Sequence, residues 1–234
     1  MFISEKDKIE IQNQLGNLQN DVELILFSQK IGCQYCQETE QLLKELIEIV
    51  PRLKLTIYNP VLDEEYSKKY DIGKDLPVIL VKSANNPNSE NVKFVGIPVG
   101  YEFTWLLSYI SAVANNKYHF DSSTIDLIKS VESLLEKNSF TLHMKVLETP
   151  NCPYCSIMAI NCSAFASLCK NIRLSIIDVA EFPEYAQKYS VIGVPKTVIT
   201  LIGPNVFSEG YIEGALYEKK LVEKVIDFIS RSSK

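Results

Sequence analysis

Long apolar runs are missing from this 234-residue chain, and none approaches the roughly 20 residues that a membrane-spanning helix needs. The first ten residues include Glu5, Lys6, Asp7, Lys8 and Glu10, so they hold no uninterrupted apolar stretch of the secretory type, and a cytoplasmic location is expected. An excess of basic charge is missing too. With 24 Lys and Arg interspersed among 29 Asp and Glu, the net charge is -5 and no basic stripe forms, so neither nucleic acid nor membrane is an expected partner. Histidine is scarce, and His119 and His143 are not spaced as metal ligands. Six cysteines are too few for a small scaffold stapled by disulfides.

What is present is apolar residue at 46%, enough in a chain of this length for two compact cores. Four of the six cysteines form two Cys-x-x-Cys pairs, Cys33-Gln34-Tyr35-Cys36 and Cys152-Pro153-Tyr154-Cys155. Cys33 and Cys152 lie 119 residues apart, while Pro77 and Pro195, and likewise Gly96 and Gly214, lie 118 apart. A nearly constant offset across three landmarks signals an internal duplication. The halves are read as residues 1–116 and 117–234, linked through Asn115-Asn116-Lys117.

Element order repeats with the landmarks. In the first half Ser4 to Asp7 opens a polar helix that ends near Gly16, and a strand follows over 22–28. After the first cysteine pair, Leu42, Leu43, Leu46 and Ile47 keep helical spacing until Pro51 stops them. A strand over 54–58, a short helix over 63–70, strands over 78–81 and 92–96 around the turn Asn85-Asn86-Pro87-Asn88, and a helix over 102–114 complete it. In the second half Ser122 or Ser123 is expected to cap a helix whose Leu127, Ile128, Val131, Leu134 and Leu135 share one face. A strand over 141–147, the cysteine helix to about 168, a strand over 173–178, a helix over 183–189, strands over 197–202 and 206–211 around Gly203-Pro204-Asn205, and a helix over 217–229 follow. Each half mixes a parallel crossover with a hairpin, which predicts the α/β class: a mixed central sheet flanked by helices, twice over.

A Cys-x-x-Cys pair that opens a helix places its first sulfur against unpaired backbone N–H groups and the positive end of the helix dipole, both of which favour thiolate. Cys33 and Cys152 are therefore the expected attacking sulfurs, with Cys36 and Cys155 resolving the mixed disulfide that forms. No cofactor is required. The dipeptides differ, and Pro153 at the first helical position stiffens its turn, so the two sites should differ in redox poise. Tyr35 and Tyr154 are expected to cover the sulfurs. A zinc site built from both pairs is the alternative for these four cysteines, disfavoured because 115 residues separate the pairs. Cys162 and Cys169 read as buried free cysteines acting as small hydrophobes.

Gly32-Cys33-Gln34-Tyr35-Cys36, Gly96-Ile97-Pro98-Val99-Gly100-Tyr101-Glu102-Phe103, Thr149-Pro150-Asn151-Cys152-Pro153-Tyr154-Cys155 and the run from Tyr189 through Val194-Pro195-Lys196 to Glu213-Gly214-Ala215 resemble the two-unit protein disulfide oxidoreductases. These are glutaredoxin-like proteins of hyperthermophilic archaea and bacteria, similar in architecture to protein disulfide isomerase. The resemblance implies tandem thioredoxin-like folds and reduction, formation or isomerisation of disulfides in protein substrates. It also implies reduction by a thioredoxin-reductase-like flavoprotein and electron delivery to peroxiredoxins. Leu76-Pro77 and Val194-Pro195, 44 and 43 residues after the first cysteine of each half, match the cis-proline of that fold. With Gln34, Tyr35, Pro153 and Tyr154 they would form the substrate-docking edge. The buried Asp that thioredoxin carries six residues before its first cysteine is replaced here by Phe27 and Val146, and Lys30 occupies that neighbourhood in the first half. Glu148 is the candidate for proton transfer in the second half, although its place at a strand end predicts exposure. A chaperone-like binding module with secondary redox activity is the competing class.

Overall fold

The computed structural model describes residues 2–232. Ser4 caps α1 (Glu5–Leu15) through a reciprocal capping box with Asp7. There follow β1 (Val22–Phe27), α2 (Cys36–Ile49), β2 (Leu53–Tyr58), α3 (Glu64–Lys69), β3 (Val78–Lys82), β4 (Val92–Val95) and α4 (Tyr101–Asn115). The second half repeats the order as α5 (Ser122–Lys137), β5 (Thr141–Glu148), α6 (Pro153–Leu168), β6 (Ile172–Asp178), α7 (Pro183–Lys188), β7 (Lys196–Gly203), β8 (Val206–Glu213) and α8 (Glu218–Ser232). Two local details differ from the sequence reading. Asp121 caps α5 in place of either serine, its carboxylate accepting the Thr124 N–H at 2.7 Å. The segment after Asn86 winds into a short 3-10 helix, Pro87–Asn91, with proline in its first turn, where no N–H is needed.

All eight strands form one sheet in the order β2-β1-β3-β4-β6-β5-β7-β8. Within each half one pairing is parallel and two are antiparallel, with β3 and β7 opposed to the other three strands, so each has the mixed sheet expected. The halves join through parallel pairing of β4 with β6, from Val92 opposite Leu174 to Val95 opposite Ile177. The backbone groups of both edge strands are thereby spent on each other, which closes two edges open to foreign strands.

Strand alternation divides the apolar residues between two layers. Val22, Leu24 and Leu26 face the larger core under α1, α2, α4, α5, α6 and α8, while Ile25 and Phe27 face the opposite core with Tyr70, Tyr185 and Tyr189 beside α3 and α7. Trp105, the single tryptophan, sits on α4 and donates its ring N–H to Ser163 Oγ on α6 at 3.0 Å, which pins the two halves together on the helical side. No helix among the described residues is long and apolar enough to cross a membrane.

Candidate functional site: two cysteine pairs and a buried carboxyl cluster

Both Cys-x-x-Cys pairs are disulfide-bonded, with Cα atoms 5.6 Å apart at Cys33–Cys36 and 5.3 Å apart at Cys152–Cys155. In each pair the second cysteine is buried and the first is half-buried, so only the first sulfur is open to a partner. The local geometry nevertheless differs between the pairs. Cys152 is the N-cap of α6, and its Sγ accepts the Cys155 N–H at 3.1 Å. In the first half the helix begins only at Cys36, so Cys33 lies outside it in the preceding turn. There the backbone donor, Gln29 N–H, points at Cys36 Sγ at 3.4 Å. The expectation that both first sulfurs sit at a helix N-terminus is thus corrected for Cys33. The physical reason lies in the dipeptide: Pro153 is pre-set for the first helical turn, and Gln34 is not.

Leu76–Pro77 and Val194–Pro195 are cis peptides. In the second half the Val194 carbonyl oxygen lies 3.7 Å from Cys152 Sγ, which brings that proline segment and the attacking sulfur to one place. Cys33, Cys36 and Leu76 share the smaller core layer with Phe27, and Val194 packs on the same layer. Tyr154 is exposed, whereas half-buried Tyr35 packs on the larger core and accepts a hydrogen bond from Gln34 Nε2 at 2.9 Å. Exposed Ile31, Val61 and Leu62 line a cleft of about 600 Å³ together with Gln29, whose N–H reaches Cys36 Sγ. Lys30 is exposed beside it.

Glu148 corrects a second expectation. It is 1% exposed, at the end of β5 opposite Asp178 of β6. Burial, and then the Asp178 charge, push its carboxyl well above the usual range. The helix face that carries Cys155 reaches buried Cys162 two turns later, whose thiol is raised chiefly by burial and then by Glu148. Glu102, at the start of α4 in the other half, is equally buried and is pushed up to about 10 by burial, then by Glu148 and Asp178. One oxygen of Glu102 and one of Glu148 have no hydrogen-bond partner among the described residues. Glu181 rises to about 7, again chiefly through burial, while its carboxylate accepts the Ile97 N–H at 2.7 Å. Carboxyls contributed by both halves therefore meet around the end of β5. Glu102 went unrecognised as a site residue in the sequence, where its only sign was a charge at the start of an otherwise apolar helix.

The approach of the halves depends on Gly100. It has φ +56°, and a Cβ there would come within 2.6 Å of the Pro150 carbonyl oxygen, which accepts the Tyr101 N–H at 3.0 Å. A Gly100→Ala chain should lose roughly 1–3 kcal/mol of stability. Because the displaced carbonyl precedes Cys152 by two residues, turnover at the second pair should fall while the first is spared. Urea unfolding, with rates measured on chains holding one pair at a time, checks this; equal effects on both pairs would contradict it.

Cys162 and Cys169 are free and buried, and burial raises both thiols, Cys169 to about 12, so they are inert as nucleophiles. Each paired cysteine closes on its own neighbour, and among the described residues no group of three or more His, Cys, Asp or Glu is placed to hold a metal ion. The four-sulfur zinc site is not assembled.

Residues 142–227 match the profile of a thioredoxin domain. The F subunit of alkyl hydroperoxide reductase from Pseudomonas aeruginosa is 32% identical over 129 residues, 55% of this chain and 23% of that protein. Its counterpart in Staphylococcus aureus is 28% identical over 160 residues, 68% of this chain and 27% of that protein. The chain thus spans about a quarter of the length of these curated relatives. Among solved structures, a protein disulfide oxidoreductase from Aeropyrum pernix superposes with a TM-score of 0.78 at 25% identity, covering 95% of this chain and 91% of that one. The F subunit of the Enterococcus faecalis alkylhydroperoxide reductase superposes at 0.79 with 18% identity, covering 96% and 99%, a likeness of fold. Fold and likeness together give the chain two tandem thioredoxin-like folds, each carrying one closed cysteine pair, similar to a protein disulfide oxidoreductase.

Proposed function

We propose that the chain reduces, forms or isomerises disulfides in protein substrates, with its units divided as residues 1–116 and 117–234 and one reaction centre in each. The observation that carries this reading is the half-open first sulfur at the cis-proline segment, with the second sulfur buried behind it. The Cys152 thiolate attacks one sulfur of a substrate disulfide, whose S–S bond breaks, and the departing sulfur takes up a proton. Cys155, having given up its proton, attacks Cys152 Sγ and releases the second substrate thiol, leaving the closed pair. Glu148, assisted by Glu102, exchanges the Cys155 proton, since a carboxyl lifted toward the thiol range does so at little cost. Cys33 and Cys36 act in the same roles in the first unit. Leu76, Pro77, Val194 and Pro195 present the docking edge, with Gln34, Tyr35, Pro153 and Tyr154 at its rim.

Macromolecular substrates are supported by the exposed apolar rim of Ile31, Val61 and Leu62, which a small thiol would not require. The backbone donor on Cys152 Sγ favours thiolate on the attacking sulfur, so the second unit dominates turnover. A thioredoxin-reductase-like flavoprotein supplies electrons and a peroxiredoxin receives them, a pairing supported by the likeness to the F subunit of alkyl hydroperoxide reductase. We place the activity in the cytoplasm, where Cys-x-x-Cys pairs serve as redox centres.

The test is a trap. With Cys155→Ser the reduced chain should accumulate a mixed disulfide between Cys152 and a protein substrate, visible by mass spectrometry and released by dithiothreitol. Cys36→Ser should trap less. Absence of any adduct from both variants would rule out the attack-and-resolve assignment.

A further inference from the structure

On the sheet face that carries α3 and α7, a groove of about 560 Å³ lies over the seam between the units. Strand register builds its floor. Lys93 on β4 and Lys145 on β5 flank Ser175 on β6, and one step along the same face Arg173 pairs with His143. Lys69 of α3 reaches in from the wall. Two acids answer these cations: Asp71 lies 3.5 Å from Lys93, and Glu90 lies 3.4 Å from Lys69. Lys145 and Arg173 have no carboxylate partner among the described residues. Arg173 Nη1 donates to the Lys170 and Ile172 carbonyls at 2.7 and 3.2 Å, which holds the side chain still and leaves Nη2 free.

In a chain of net charge -5 this is a local reversal of sign. Like charges on adjoining strands cost stability, and burial together with the neighbouring cations holds Lys93 and His143 below their ordinary ranges. Such a cluster is not needed to build a sheet, since solvated polar residues of either sign would serve. The 3-10 helix at Pro87 closes one end of the groove. An adjoining cavity shares Lys93, Lys145 and Ser175, and there the Tyr185 hydroxyl donates to Asp75 at 2.7 Å, tying α7 to the segment before β3. The volume of the groove lies in the range of small-ligand sites, which suits a compact molecule.

We propose that this groove binds a small multivalent oxyanion, phosphoryl- or carboxylate-bearing, held by Lys145, Arg173 and Ser175 beside Lys93, whose ammonium is fixed by the Tyr70 and Asp71 carbonyls at 3.1 and 2.7 Å and lends its charge from the first unit. Because these residues come from both units, the ligand clamps the seam. Calorimetric titration of the full chain tests this, with inorganic pyrophosphate in one arm and citrate in the other, each at low and at physiological salt. Saturable single-site binding is expected in at least one arm, weakening with salt, and the stronger arm identifies the oxyanion. Lys145→Gln with Arg173→Gln should weaken it roughly 100-fold, about tenfold for each charge-assisted hydrogen bond removed. Lys54→Gln with Lys188→Gln, outside the groove, should leave it unchanged. Circular dichroism and disulfide turnover verify that the variants fold. No saturable heat in either arm, undiminished binding in the groove variant, or binding of hexaglutamate peptide alone would overturn the proposal.

Discussion

Cys33→Ser combined with Cys152→Ser is expected to abolish turnover of insulin disulfides, a fall of at least about 1000-fold, because a serine hydroxyl stays protonated where a cysteine becomes thiolate. The double variant keeps its fold, since both side chains are half-buried and the oxygen is smaller than the sulfur it replaces. Single variants separate the units. Cys152→Ser should remove most of the rate, because in the second unit the Cys155 N–H is aimed at the attacking sulfur, whereas in the first unit the Gln29 N–H is aimed at the resolving one. Equal losses from the two single variants would refute that ranking. Full turnover in the double variant would return the chain to a binding or chaperone protein whose cysteines are secondary.

Glu102→Gln should stabilise the chain at neutral and alkaline pH and flatten its pH dependence. The folded carboxyl titrates near 10 because it is buried beside Glu148 and Asp178, while in the unfolded chain it titrates at about 4.3. Between those values the folded state keeps a proton that the unfolded state has lost, so stability falls as pH rises, by up to about 1.4 kcal/mol per pH unit for one whole proton. Glu181, lifted to about 7, adds to the same slope at the acidic end of the window. Glutamine has a similar shape and cannot ionise, so its contribution is level. Urea midpoints of both chains from pH 5 to pH 9 measure this: the curves should converge near pH 5 and separate as pH rises. Parallel curves would mean that Glu102 does not titrate in the folded protein as its burial requires.

Legibility in the sequence varied with the range of the interaction involved. The strand 22–28, the helix carrying Leu42, Leu43 and Leu46, and the helix of Ile128 and Val131 were readable because apolar spacing encodes which face each element buries. The cap of α5 was not, since Asp121, Ser122 and Ser123 are all competent N-caps and packing chooses among them. Glu148 was misjudged for a related reason. A carboxylate at a strand end is ordinarily solvated, and this one is buried together with Glu102 of the other half, a neighbour more than forty residues away in the chain.

By itself the sequence determined the two cysteine pairs, the prolines that accompany them and the repeated order of strands and helices, because each depends on residue type and near neighbours. Tertiary structure alone decided that the two sheets become one through β4 and β6, that carboxyls of both halves converge around the end of β5, and that Lys69, Lys93, Lys145 and Arg173 gather over the seam. Those features arise where residues far apart in the chain meet, and an edge strand's free N–H and C=O groups look the same in sequence whether they face water or another strand.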